Sequence, residues 1–190
     1  MKQIIPLFLL IIFLTSCSCL KKNVENNGII LTESNLTLLN GKYERKSTQT
    51  LTDSISVGDL YSNFYANSYI FGEAKGLNHK SDTDFFELKV INKNKILVSY
   101  IDGNDTIRSE IVKGKIRNGY FELKRKYLFL PIILANVYSD SKFRIKPSHS
   151  GDLITDYKRI DFGAFYFVIP FYFKEEKYNT IFKRIEDTIE

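Results

Sequence analysis

The stretch 113–126, KGKIRNGYFELKRK, decides the fold class because it predicts an antiparallel β-hairpin. Asn118 and Gly119 are residue types that tolerate the two positive φ angles of a type I′ turn. A two-residue loop at this point places Ile116 and Phe121 on the same face of the hairpin. The predicted register pairs Arg117 with Tyr120, Ile116 with Phe121, Lys115 with Glu122 and Gly114 with Leu123. One face is then apolar and the other is charged, as in a sheet with one solvated side.

The alternation of apolar and polar residues continues outside this hairpin. It runs through FFELKV at 85–90 and KILVSY at 95–100, with polar turn sequences at 92–94 and 102–105. Further strands are predicted at 133–138, 142–147, 152–160 and 163–173. We therefore predict an all-β fold, an antiparallel meander of about eight to ten strands that closes into a barrel.

Two segments allow a helix. Apolar residues recur at helical spacing near 56–65, which predicts one short helix there. The tail over 178–189 is ambiguous, because its apolar stripe also fits a helix. However, FKRIE at 182–186 repeats the pattern of YKRID at 157–161, which is predicted to be a strand. We favour a closing strand over 179–185.

The apolar positions change phase along the strand that precedes the Asn-Gly turn. Ile107 and Ile111 lie in one phase, whereas Val112 and Ile116 lie in the other. A switch between Ile111 and Val112 predicts a β-bulge or a bend at that point. Gly114 suits a sheet that curls.

The first residues have the three-part layout of a secretory signal peptide. Lys2 precedes an apolar run over 4–14, which is too short to cross a bilayer as a helix, since that takes ~20 residues. The sequence LTSC at 14–17 resembles the bacterial lipoprotein box. The resemblance implies cleavage before Cys17, acylation of Cys17, and a protein tethered to a membrane by its lipid. The alternative is a secreted protein with a disulfide between Cys17 and Cys19, which would be badly strained.

These features divide the chain into three regions. Residues 1–16 are the signal peptide, residues 17–35 are the lipidated amino terminus and a flexible tether, and residues 36–190 form a single β-barrel domain. In related lipoproteins, acidic residues after the lipidated cysteine direct export to the cell surface. Here Lys21 and Lys22 follow it. This favours an outer-membrane lipoprotein of the cell envelope that faces the periplasm.

The charge balance is mildly basic. The chain has 27 Lys and Arg against 22 Asp and Glu, and removal of residues 1–16 deletes only Lys2 among them, leaving a net charge of +4. Such a small and dispersed surplus argues against a nucleic-acid partner.

Three motifs make residues 36–190 similar to the small lipocalin-like, or calycin-type, lipoproteins of the Bacteroidota. They are LNGKYE at 39–44, DLYSNFY at 59–65 and FKRI at 182–185. The resemblance implies a β-barrel that can hold a small apolar or amphipathic ligand. The residues expected to line its interior are Phe86, Leu88, Val98, Tyr100, Ile107, Ile116, Phe121 and Leu123.

Two segments break the alternation because both of their predicted faces are apolar. They are YLFLPIILANVY at 127–138, in which Pro131 marks an edge, a bulge or a break, and FGAFYFVIPFYF at 162–173. Three interpretations remain open. The 56–65 helix packs over them, or they form an exposed patch that meets a partner or the membrane surface, or they form the mouth of a ligand-binding barrel.

Basic residues cluster on the outer face of the 113–126 hairpin. They are Lys113, Lys115, Arg117, Lys124 and Lys126. Such a face either contacts an anionic partner, such as a lipid headgroup, or is a solvated face that protects a sheet edge.

The sequence contains no motif that is typical of an enzyme. His79 and His149 are the two histidines, and neither has metal-ligand spacing to another His or Cys. No glycine-rich phosphate loop and no nucleophile elbow is present. We therefore predict a protein that is not an enzyme and that binds no metal or cofactor.

Two functions remain as hypotheses. A binding module would hold a small apolar ligand inside the barrel. An interaction protein would have a filled core and would contact an envelope protein partner through its outer apolar strands. A connected internal cavity of roughly 300 Å³ or more would favour the first.

Overall fold

The computed structural model describes residues 20, 28–47, 60–65, 84–124, 126–132, 135–165 and 169–186. The predicted signal peptide, Cys17, His79 and the start of the predicted 56–65 helix lie outside the described residues.

The described residues are almost entirely β-structure, which confirms the all-β prediction. The strands are β1 (Gly41–Glu44), β2 (Asp84–Asn92), β3 (Lys95–Asp102), β4 (Asp105–Arg117), β5 (Tyr120–Leu123), β6 (Lys126–Ile132), β7 (Ala135–Pro147), β8 (Leu153–Phe165), β9 (Ile169–Phe182) and β10 (Arg184–Ile185). A short 3₁₀ turn, Leu36–Leu39, precedes β1, and the helix α1 (Leu60–Tyr65) lies where a helix is predicted.

One antiparallel sheet of ten strands contains all of them, in the order β10-β1-β2-β3-β4-β5-β7-β8-β9, with β6 paired to β7. The two end strands, β9 and β10, are separated in sequence by Lys183 alone, and the Lys183 carbonyl accepts a hydrogen bond of 2.9 Å from the Glu44 N–H. The predicted closing strand over 179–185 is therefore confirmed as β-structure. Chain continuity brings the ends of the sheet together, although no ladder between β9 and β1 closes it within the described ranges.

The 113–126 hairpin has the predicted register, from Arg117↔Tyr120 to Gly114↔Leu123. Asn118 and Gly119 both have positive φ, at 50° and 79°, as a type I′ turn requires. In this register, the apolar side chains on one face of the hairpin are buried or partly buried, and Lys115 on the other face is exposed.

The two apolar segments are hairpins and not single strands, which corrects the prediction. β6 and β7 pair up to Ile132↔Ala135, and β8 and β9 pair up to Phe165↔Ile169. β7 also continues through residues 139–141, where a break was predicted. The sequences around these two chain reversals contain no Asn-Gly or Asp-Gly pair, so apolar periodicity alone could not locate the turns.

The bulge in β4 lies near Ile107 and not at the predicted position further along the strand. Tyr100 pairs with Arg108, whereas Ile101 pairs with Thr106, so β4 has one extra residue between them. A bulged residue leaves the regular alternation of faces. Ile107 is accordingly 43% exposed, and its predicted place in the interior was wrong.

Buried apolar side chains from the strands, the 3₁₀ turn and α1 form one core. Phe64 of α1 stacks on Phe86 of β2 at a ring-centroid distance of 5.9 Å and meets Phe143 of β7 edge-on at 5.0 Å. The helix is thus fixed to the sheet by aromatic packing in this core.

Candidate functional site

The predicted interior residues, apart from Ile107, come together in the core. Phe86, Leu88, Val98, Tyr100, Phe121 and Leu123 are buried, and Ile116 packs against them.

A series of aromatic contacts runs across this core. Phe86 lies 5.2 Å from Tyr100 and 5.9 Å from Phe64 between ring centroids. Phe64 then meets Phe143, which in turn meets Tyr157 of β8 at 6.4 Å. The predicted lining residues therefore contact one another or their neighbours directly.

A buried polar network lies at one end of the core. Arg45 donates to Asp84 Oδ2 at 2.7 Å, and the Tyr100 hydroxyl donates to the same oxygen at 2.6 Å. Arg45 also donates to the Tyr100 oxygen at 3.1 Å. Burial and the hydrogen bond to Asp84 raise the pKa of Tyr100, so this hydroxyl keeps its proton. The network compensates the Asp84 charge at the edge of the apolar core.

A second polar network joins β7, β8 and β9 on the face of the sheet opposite the core. Arg144 donates to Asp156 Oδ2 through Nε at 2.7 Å and through Nη2 at 2.6 Å. The other carboxylate oxygen accepts the Asn179 backbone N–H at 2.8 Å. Asn179 has a positive φ of 53°, where the β8–β9 register shifts. The irregularity in β9 thus directs an N–H group to a buried carboxylate.

A tyrosine ring and the amino-terminal segment cover this second network. The Arg144 guanidinium lies 4.1 Å and the Lys146 ammonium 4.6 Å from the centroid of the Tyr120 ring, both in cation–π range. Burial lowers the pKa of Lys146, although the Asp156 charge opposes this shift. The segment 28–31 is fixed nearby, with the Ile29 N–H bonded to the Pro147 carbonyl at 2.9 Å.

Three buried tyrosines make the protein sensitive to alkaline pH. Burial raises the pKa of Tyr43, Tyr120 and Tyr157 from 10.0 to about 12. Between pH 10 and 12 the unfolded chain releases these protons while the folded chain keeps them, so the free energy of unfolding is expected to fall over this range. Urea unfolding at a series of pH values measures the slope. Tyr43→Phe should make the slope shallower, and an unchanged slope would contradict the assignment.

The predicted basic cluster is present on the outer face of the β4–β5 hairpin. Lys113, Lys115, Arg117 and Lys124 are exposed, whereas the side chain of Lys126 lies outside what the structure describes. The Lys124 N–H donates to the Lys113 carbonyl at 2.7 Å, so these two residues are neighbours. Arg117 lies 3.7 Å from Glu122 across the hairpin, in an exposed ion pair that contributes little stability.

Beyond β5, four paired stretches form what we call the arm. They are β6 together with residues 135–141 of β7, 159–165 of β8 and 169–175 of β9, and their ladders connect them only to one another within the described residues. Ion pairs concentrate near the base of the arm. They join Lys158 to Glu176 at 3.0 Å, Lys174 to Glu176 at 3.1 Å, Arg159 to Asp161 at 2.9 Å and Lys177 to Glu175 at 2.8 Å.

The outer part of the arm carries no charged residue. We call it the arm end, and it consists of residues 129–132, 135–138, 162–165 and 169–172. Among its described side chains, Phe162 and Tyr172 are exposed on one face and Ile169 is exposed on the other. The apolar segments are recognisable in the sequence, but only the strand pairing brings them together in one place.

Two features let the strands of the arm end pack closely: a hydrogen bond from the backbone to a side chain, and a glycine where a Cβ would collide. Asn136 Oδ1 accepts the Ala164 N–H at 2.7 Å, so the oxygen of this amide is used within the arm. A Cβ at Gly163 would collide with the Asn136 carbonyl oxygen and would lie 2.8 Å from the Phe171 ring. Gly163 therefore permits the close approach of β7, β8 and β9.

Metal sites and membrane-spanning helices are not found in the described part of the chain. No three His, Cys, Asp or Glu side chains lie close enough there to hold a metal ion. No helix in those same ranges is long and apolar enough to cross a membrane.

The chain was compared with protein-family models, with curated proteins and with solved structures, and none of the three comparisons found a match.

Proposed function

We propose that this chain is a lipid-anchored protein of the bacterial cell envelope that acts without catalysis, as an interaction module. In this proposal, Cys17 carries the acyl chains that hold it in the outer membrane, facing the periplasm. The arm end contacts the partner. The lipoprotein box at 14–17 supports the anchor.

One observation carries this proposal, which is the exposed apolar surface of the arm end. Large solvent-exposed side chains lie there at paired or adjacent positions. They are Phe162, Ile169 and Tyr172 in the arm end and Phe173 next to the arm end. Clusters of exposed large apolar side chains, here one on each face of the arm, commonly mark an interaction surface on a folded protein. The core offers less support for a ligand site, because its aromatic side chains pack on one another.

A binding module for a small amphipathic ligand is the second candidate. Thr155 and Thr180 favour it, because they pair directly across β8 and β9 and are buried. Their hydroxyl oxygens have no hydrogen-bond partner among the described residues. Buried hydroxyl groups normally have partners, so a polar atom of a bound molecule would satisfy them.

The anchor is tested by replacing Cys17 with Ser in the full chain and following acylation with a labelled fatty acid in a bacterial host. The wild type should take up label and sediment with membranes, and the Cys17→Ser variant should lose both properties. Cys19→Ser is the matched control and should keep both. Label on the Cys17→Ser variant would contradict the proposed anchor.

The interaction surface is tested by photo-crosslinking in intact cells. A photoreactive residue in place of Tyr172, which is 66% exposed, should give crosslinked products. The matched control is Ile111, which is 52% exposed on β4 outside the arm and should give none. Equal crosslinking yields at both positions would show that the arm end is not the interaction surface. A copurifying ligand in native mass spectrometry, lost in Thr155→Val, would favour the second candidate instead.

A further inference from the structure

We propose that the arm end enters the hydrocarbon of the lipid leaflet that holds Cys17, so that the protein contacts one membrane at two points. This inference rests on the proposed function, because it identifies the partner of the arm and uses the proposed anchor. It commits the arm to a lipid surface and not to another protein.

A sharp border separates charged from apolar residues along the arm. Asp161 and Lys174 are the last charged residues on β8 and β9 before the arm end. The next ladder row contains Tyr138, Phe162 and Tyr172, and no row beyond it is charged. Aromatic residues, with lysine just outside them, are typical of the boundary between headgroups and hydrocarbon.

The arm end has exposed apolar side chains on both faces. A protein partner typically covers one face of a sheet, whereas hydrocarbon surrounds an inserted segment on all sides. Ile169 is exposed on one face, and Phe162 and Tyr172 are exposed on the other. Asn136, the one amide side chain in the arm end, spends its oxygen on the Ala164 N–H.

The two edges of the arm carry backbone groups that face away from the sheet. An unpaired backbone N–H is costly in hydrocarbon, so open sheet edges are disfavoured there. Pro131 in β6 and Pro170 in β9 stand in the two edge strands of the arm. Each proline removes one N–H from an edge that would otherwise lack a partner.

The length of the arm end determines how deep it can reach. Four residues of each strand extend about 13 Å at ~3.3 Å per residue. This matches one leaflet of a hydrocarbon core that is ~30 Å thick, and it is short of the ~9–11 residues of a spanning strand. The arm end therefore fits one leaflet and does not cross the bilayer.

The tether between Cys17 and Gly28 is long enough to reach the same leaflet. Gly28 bridges to Ser148, just past the end of β7 that is remote from the arm end. β7 spans about 40 Å, so an arm end inserted to ~15 Å leaves Gly28 about 25 Å above the hydrocarbon. The stretch from Cys17 to Gly28 reaches about 36 Å when extended. The anchor and the arm end can therefore occupy the same leaflet.

The test places an environment-sensitive fluorophore on the arm end of the acylated full-length protein. In a Cys19→Ser background, Ile169→Cys is labelled and reconstituted into phosphatidylethanolamine and phosphatidylglycerol vesicles, with or without brominated acyl chains. The label should shift to shorter wavelength and should be quenched several-fold by the brominated lipid. The matched control, Ile111→Cys, should show neither effect. Circular dichroism and thermal unfolding confirm that both variants are folded.

Shortening the tether tests whether the arm end and the acylated Cys17 enter the same leaflet. Deleting residues 21–26 leaves an extended reach of about 16 Å, which is too short for the ~25 Å required. The deletion variant should stay on the vesicles through Cys17 while quenching at position 169 is lost. Quenching that survives this deletion would overturn the two-point arrangement.

The outcomes distinguish this inference from the proposed function. No quenching at position 169 in the anchored protein would overturn lipid insertion. If the Tyr172 crosslink then still joins a protein, the arm remains an interaction surface with a different partner. If the photoreactive residue at position 172 crosslinks to lipid and not to protein, and position 169 is quenched, lipid is the partner.

Discussion

Replacing Asp156 with alanine is expected to lower the free energy of unfolding by about 3–5 kcal/mol, because it leaves a buried charge without its partner. Arg144 is almost fully buried, and its Nε and Nη2 both donate to this carboxylate, whose own side chain has 0% exposure. The Asn179 N–H would lose its acceptor as well. Urea unfolding at neutral pH measures the loss.

The control for this prediction is an ion pair near the surface. Glu110 lies 3.5 Å from Arg108, and both side chains are partly exposed. Glu110→Ala should therefore lower the free energy of unfolding by less than about 1 kcal/mol. The double variant Asp156→Leu with Arg144→Met should recover much of the loss, because apolar side chains can replace a buried pair. A cost for Asp156→Ala no larger than that of the control would show that the network is open to solvent.

Replacing Phe86 with alanine is expected to cost about 3–5 kcal/mol, as is usual when a fully packed phenylalanine is truncated. Phe86 has 0% exposure and lies 5.9 Å from Phe64 and 5.2 Å from Tyr100 between ring centroids. The prediction also bears on function. If Phe86 lined a ligand cavity, its ring would have fewer neighbours. Phe86→Ala would then lower the free energy of unfolding by a much smaller amount.

If Phe86→Ala does not fold, a milder substitution at the same position still allows the free energy of unfolding to be measured. Phe86→Leu keeps most of the volume and should cost roughly 1–2 kcal/mol. Ile111→Ala, at an exposed position of β4, should stay within about 0.5 kcal/mol of the wild type. A Phe86→Ala cost below about 1.5 kcal/mol would favour the ligand-binding candidate over a filled core.

Local signals in the sequence were sufficient for the β4–β5 hairpin and the strands around it. Asn118 and Gly119 determine a turn geometry that few other residue pairs allow, and the register follows from the turn. The alternation in β2 and β3 then assigns Phe86, Val98 and Tyr100 to the core. These features depend on neighbours that are close in the chain, which is why periodicity reveals them.

Features that depend on long-range contacts could not be predicted in this way. The Arg144–Asp156 pair needs the β7–β8 register and the irregular backbone at Asn179. The bulge that exposes Ile107 arises from pairing with β3, because the sequence of β4 alone places the phase change elsewhere. The reversals within the apolar segments lack turn residues, so the arm became visible only with the strand pairings.

The pairing of β1 with β10 has a consequence for the order of folding. Lys42 lies opposite Ile185, so the first strand obtains its second neighbour only from residues close to the carboxyl end of the chain. Contacts between such distant positions slow folding, because a long loop must close before they form. The edge of β1 that faces β10 stays open until Arg184 and Ile185 have been synthesised. An incompletely synthesised chain therefore exposes this strand edge, which favours aggregation until β10 pairs with it.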